Sequence, residues 1–201
     1  MNACKVNNNY FCGLTKNQMN KNTSNMIIAT LLILLAAASR VIMYPHNFSP
    51  IIGMALFAGA VFTDKKYACF LPLTAMFLSD VVFEISGIAK GFYGPGQVVN
   101  YLLLAAITVI AFTMKKIQPV RVAAYSIFSS LLFYVFSNLS FFLIDNPVYH
   151  TYPQTGNGLV QCYIAALPFL KTGMIADLVY SGLLFGVFAL ISKPAVRTVH
   201  A

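Results

Sequence analysis

Polar and charged residues along this chain are gathered into short breaks between long apolar blocks, and the blocks predict membrane-crossing helices. A helix crossing the hydrocarbon needs ~20 apolar residues, and a shorter one survives when neighbouring helices enclose it. The first block runs from about Met26 to Tyr44, broken by Arg40, and Pro45 stops it. The second, about Pro50 to Phe62, is short and holds Gly53, Ala55, Ala58, Gly59 and Ala60. Small residues let helix backbones approach closely, so this block predicts an interior helix. The third, about Tyr67 to Ile85, contains Pro72, Asp80 and Glu84, and a glycine-rich loop from Ser86 to Gln97 follows it. The fourth covers about Val98 to Met114 and the fifth about Val120 to Ile144. Asp145 to Asn157 reads as an irregular loop with two prolines. Gly158 to Leu170 reads as a re-entrant or interfacial helix ended near Pro168, and the sixth span runs from about Thr172 to Ile191. The expected fold is therefore all-α: a polytopic bundle of six transmembrane helices over residues 26–192. A disordered cytoplasmic tail over residues 1–25 and a short cytoplasmic tail over residues 193–201 flank it.

Composition removes the soluble alternative. Hydrophobic residues make up 59% of the 201 and charged residues 9%, against roughly 25% charged in a soluble domain. The net charge of +8 does not point to nucleic acid, because the basic residues sit at the ends of apolar blocks and form no stripe with interleaved aromatics. Their distribution instead sets the orientation. With the N-terminus inside, the inner segments collect Lys5, Lys16, Lys21, Lys65, Lys66, Lys115, Lys116, Arg121, Lys193 and Arg197, and the outer side only Arg40, Lys90 and Lys171. Both termini are expected in the cytoplasm. The N-terminal stretch lacks the apolar core and cleavage pattern of a signal peptide, and Met19 or Met26 offers an alternative start. Cys4, Cys12, Cys69 and Cys162 form no CxxC pair, so neither a disulfide framework nor a zinc site is expected.

In that orientation the polar and charged residues of the spans fall in one outward layer: Arg40, Asp80 and Glu84 four residues apart, Asn100, Asn138 and Asp177. A charge within a span costs roughly 2.5–3.5 kcal/mol on insertion scales and faces a bundle interior or a hydrated cavity. Three carboxylates share the layer with one arginine, so pairing cannot satisfy them all, and a substrate cavity open to the outside is the favoured reading. The opposing reading is that Arg40 pairs with Asp80 or Asp177 and pins the bundle. His46 and Asn47 stand at the outer entrance between the first two spans, although a loop histidine is more often solvated and Asn47 can cap the second helix. Tyr152 belongs to a proposed lid or to an interface belt, and Cys162 is a minor candidate for ligand contact.

No nucleotide-binding lysine motif, GxSxG or HExxH is present. No catalytic, cofactor or metal site is therefore expected. Two similar halves, the mark of many rocking transporters, are also missing.

The ordered set Arg40, Pro45-His46-Asn47-Phe48-Ser49-Pro50, Ala55-Leu56-Phe57-Ala58-Gly59, Pro72-Leu73, Ser79-Asp80, Ser137-Asn138, Tyr152-Pro153, Gly158-Leu159, Cys162-Tyr163, Ala166-Leu167-Pro168-Phe169 and Asp177 resembles an uncharacterised family of bacterial six-span proteins. That family is grouped with the substrate-binding S-components of energy-coupling factor (ECF) transporters. The resemblance covers about Arg40 to Gly186. It implies a bacterial inner-membrane protein that binds a vitamin or similar micronutrient from outside. It also implies a separate transmembrane coupling protein with cytoplasmic ATPases, although some relatives work alone. The Ala-x-x-x-Ala docking pattern of S-components is not matched, since Ala29 is followed by Ile33. The small-residue faces carrying Ala29, Ala36, Gly53 and Gly59 offer a partner an alternative grip. Two other function classes stay open: a membrane enzyme acting on a lipid-linked substrate through Asp80, Glu84 and Asp177, and a non-catalytic subunit of an envelope complex.

Overall fold

A computed structural model describes residues 4–42 and 48–192, with side chains from Thr23 onward. His46, Asn47 and the C-terminal tail over 193–201 lie outside the described residues. Those described form only helices and connecting turns: α1 Cys4–Ile42, α2 Ile51–Val61, α3 Lys65–Ser86, α4 Gly96–Ala111, α5 Pro119–Ser140, α6 Asn146–Tyr149 and α7 Gly156–Ile191, with a π-helical turn at Phe141–Asp145 between α5 and α6.

Local chemistry sets most of these ends. Asp64 caps α3, its Oδ1 accepting from the backbone N–H groups of Lys66 (2.9 Å) and Tyr67 (3.3 Å), an arrangement worth about 1 kcal/mol. Gly87 closes α3 at φ 68° and donates its N–H to Phe83 O at 3.0 Å, a left-handed position that suits glycine. Pro119 opens α5, where its missing N–H has no intrahelical role. The Thr155 side chain accepts from Gly158 N at 3.2 Å and caps α7.

Four stretches are long and apolar enough to cross a membrane: Thr23–Ile42, Lys65–Ser86, Pro119–Tyr149 and Gly156–Ile191, with α2 and α4 as shorter apolar helices. The outer surface agrees in character. Large apolar side chains face outward all round, among them Leu190 (87% exposed), Val120 (81%) and Leu35 (66%), as lipid-facing residues do.

The short α2 is the centre of the bundle, as its small residues predict. It packs against α1, α3, α4, α5 and α7, and every residue from Ile52 to Gly59 is buried. A Cβ at Gly53 would stand 3.0 Å from Tyr180 Cβ. One at Gly59 would run into the Thr108 carbonyl oxygen of α4 and stand 2.7 Å from Ala111 Cβ. Phe57 adds edge-to-face contacts with Phe185 (5.2 Å) and Phe188 (5.4 Å) of α7. Gly59→Ala is therefore expected to force α2 from α4 and destabilise by about 1–3 kcal/mol, the usual range for overpacking. A lowered melting temperature in detergent checks this.

Four expectations change. Gly158 to Leu170 is not a separate re-entrant helix. Helix α7 runs unbroken through Pro168 for 36 residues, about 54 Å at ~1.5 Å per residue. Away from water the backbone has no better partner than its own helix, and Thr172 Oγ1 donates to Pro168 O at 3.2 Å. Nor is Asp145 to Asn157 irregular throughout: helix continues through the π turn and α6, and only residues 150–155 are without it. Pro147 lies in the first turn of α6, where proline fits. At the N-terminus, α1 carries helical backbone from Cys4 across most of the stretch expected as tail. Finally, Ala29, Ala36, Gly53 and Gly59 are buried in the bundle, so they offer a partner no grip.

Candidate functional site

Helices α5 and α7 run antiparallel in close contact. Ser130 Oγ reaches Asp177 Oδ2 (2.6 Å), Tyr134 Oη donates to Tyr163 O (2.7 Å) and Cys162 Sγ lies 3.9 Å from Asn138 O. Beside this pair opens a cavity of about 480 Å³. Its α5 wall is Ser130, Phe133, Tyr134, Ser137 and Asn138, and its α7 wall runs from Ala166 through Phe169 and Gly173 to Asp177. Both sets follow the three-and-four spacing of one helix face. At ~1.5 Å per residue the α5 wall is about 12 Å long, with Ser130 and Asp177 at one end and Asn138 at the other.

Arg40 of α1 and Asp80 of α3 form the second feature. Arg40 Nη1 stands 2.6 Å from Asp80 Oδ1, also donates to Ser79 Oγ, and the guanidinium lies 5.0 Å from the centre of the Phe83 ring. Asp80 Oδ2 accepts from Tyr101 Oη (2.5 Å) and Gln97 Nε2 (3.0 Å). The carboxylate is 2% exposed and faces a full set of donors. Arg40 lines the cavity while Asp80 stands behind it. The pairing with Asp80 that the opposing reading required is thus present, and it leaves Asp177 outside.

Glu84 and Asp145 hold the glycine-rich loop. Glu84 Oε2 accepts from Gly91 N (3.0 Å) and Phe92 N (3.2 Å), and Asp145 Oδ1 from Gly96 N (3.1 Å). Gln97 Nε2 donates to Gly91 O (2.8 Å), Gln97 Oε1 accepts from Tyr93 N (3.2 Å), and Tyr149 Oη donates to Tyr93 O (2.7 Å). A Cβ at Gly91 would run into the Asp80 carbonyl oxygen, so this glycine lets the loop lie directly on α3. Held in this way, the loop presents Ala89, Lys90 and Tyr93 to the cavity. Desolvation raises the Tyr93 phenol above its ordinary range, with the Asn100 hydrogen bond opposing. Tyr93 is therefore a neutral hydroxyl, accepting from Asn100 Nδ2 at 2.6 Å.

Of the residues singled out in the sequence, Arg40, Asn100, Asn138 and Asp177 line one cavity. Asp80 supports Arg40, and Glu84 is exposed and engaged with the loop. Cys162 is buried off the cavity. Tyr152 also lies off it, its backbone N–H and C=O both bonded to the Asn146 side chain. Among the described residues no three His, Cys, Asp or Glu side chains gather as metal ligands. Two polar atoms on the cavity wall, Asn100 Oδ1 and Ser49 Oγ, have no hydrogen-bond partner among the described residues. On α5 the sequence pointed to Asn138, and Ser130, Phe133 and Tyr134 were missed, as was Tyr93 of the loop. The serines at 126, 129, 130 and 137 with Asn138 recur on one helical face, and that period was the available signal.

The chain belongs to DUF6580, a family of unknown function whose sequence pattern matches residues 20–199. No curated protein and no solved structure matches it.

Proposed function

We propose that this member of DUF6580 is a membrane-embedded binding protein that takes a small molecule, of the vitamin or micronutrient kind, from outside a bacterial cytoplasmic membrane. The cavity of about 480 Å³ carries this reading. It falls within the ~300–1,000 Å³ of small-molecule sites, and it mixes aromatic walls with a few polar groups, as such sites do. In this arrangement α2 crosses as a short helix enclosed by its neighbours and α4 as a short helix with one face to lipid, making six spans, and both termini are cytoplasmic. Of the three carboxylates that the enzyme reading needs, only Asp177 lines the cavity, which favours binding over catalysis. The chain supplies no nucleotide-binding motif. Accumulation against a gradient therefore falls to an ECF-type coupling protein with cytoplasmic ATPases, and the chain alone binds without pumping.

The test is to equilibrate purified protein with a small-molecule extract of bacterial cells and identify what is retained. Gly173→Phe, which projects a ring from the α7 wall, serves as the blocked control. A compound enriched on the wild type and not on the variant is expected. Equal retention by both would overturn the reading.

Orientation is tested separately in a background with the four native cysteines replaced. Ile88→Cys in the glycine-rich loop should react with an impermeant thiol reagent on whole cells, and Lys115→Cys only after permeabilisation. Both sites are exposed. The reverse pattern would invert the topology.

A further inference from the structure

Asp177 is the acidic group on this cavity wall, and its chemistry is unfinished. It is 4% exposed and lines the cavity, and its one protein hydrogen bond among the described residues comes from Ser130. A hydroxyl has a single proton, and Ser126 O, at 2.9 Å, competes for it with Asp177 Oδ2 at 2.6 Å. Asp177 Oδ1 has no partner among the described residues. Among the described residues no cation stands within ion-pair distance either, and the one ion pair among them joins Arg40 to Asp80. The other cation among the described residues of the cavity wall, Lys90, belongs to the loop whose Tyr93 is tied to Tyr149 of α6. That places Lys90 at the Asn138 end, about 12 Å along α5 from Ser130. A buried carboxylate is stabilised by donors and by opposite charge, and this one is short of both.

On the reading that the cavity is a ligand site, we infer that its ligand is an organic cation whose protonated amine or ring N–H seats on Asp177. The ligand's ammonium supplies the missing donors to Oδ1 and the missing countercharge. Phe133, Tyr134 and Phe169 receive the rest of the molecule, and their ring faces also favour positive charge. Ser130 keeps the carboxylate aimed by holding Oδ2, which leaves Oδ1 for the ligand.

Three probes of one shape test this: phenethylamine, phenethyl alcohol and phenylacetate, each titrated onto the detergent-purified chain by ligand-observed NMR. The amine is expected to bind at least ~10-fold more tightly than the alcohol, in keeping with a hydrogen bond to a charged group, and the acid more weakly than either. Asp177→Asn should erase the amine's advantage over the alcohol, and Gly173→Phe should abolish binding of all three. An amine no better than the alcohol on the wild type overturns the inference without needing any variant that must fold. So does a preference that survives in Asp177→Asn. In either case the binding reading stands, provided Gly173→Phe still removes the probes. Probes that bind neither protein, or both alike, overturn the binding reading together with this one.

Discussion

Asp80→Ala is expected to cost roughly 3–5 kcal/mol of stability, the range seen when one partner of a buried ion pair is removed. The substitution leaves the Arg40 guanidinium without its countercharge, and it strips the acceptor from Tyr101 and Gln97 at once. The damage then spreads, because Gln97 also holds Gly91 O and the Tyr93 backbone N–H. Thermal unfolding in detergent, read by the surviving monodisperse fraction, measures the loss. Removing both partners, in Arg40→Ala/Asp80→Ala, should cost clearly less than the two single losses added together, since no uncompensated charge remains. An Asp80→Ala protein as heat-stable as the wild type would show that the network holds nothing together.

Gly173→Phe is expected to act in the opposite sense on fold and binding. A Cβ at Gly173 meets nothing within 4 Å, and the residue lines the cavity beside Asp177, so a phenyl ring has space to occupy and that space is the ligand's. Binding should fall by more than ~100-fold, equivalent to about 2.7 kcal/mol or more. The fold should be unharmed or slightly more stable, because glycine within a helix is worse than other residues by about 0.5–1 kcal/mol. A variant that loses binding only because it unfolds fails this prediction, and so does one that keeps both binding and fold.

The contrast between Asp80 and Asp177 marks what the sequence could and could not tell. Counting three carboxylates against one arginine correctly said that at least one acid lacks a basic partner. It could not say which, because that depends on whether Arg40 of α1 turns to α3 or to α7, and only packing decides it. Asp80 and Glu84 are four residues apart and nominally share a face. Yet one is buried under three donors, from Arg40, Gln97 and Tyr101, and the other reaches from the last turn of α3 to the loop amides. The interior position of α2 was legible because small residues at that density have few other uses. The α5 wall was obscured by the uniformly apolar background in which its serines recur. Pro168 and Pro147 misled for a shared reason. In the sequence Pro168 reads as a helix end and Pro147 as part of an irregular loop, as in water, whereas helix continues through the first and begins at the second.

The most direct test of a ligand site within the bundle is native mass spectrometry of the wild-type chain released from detergent after loading with a bacterial small-molecule extract. The predicted spectrum shows one small-molecule adduct per chain, absent from Gly173→Phe loaded in the same way. A bare wild-type chain, or the same adduct on both proteins, would contradict it.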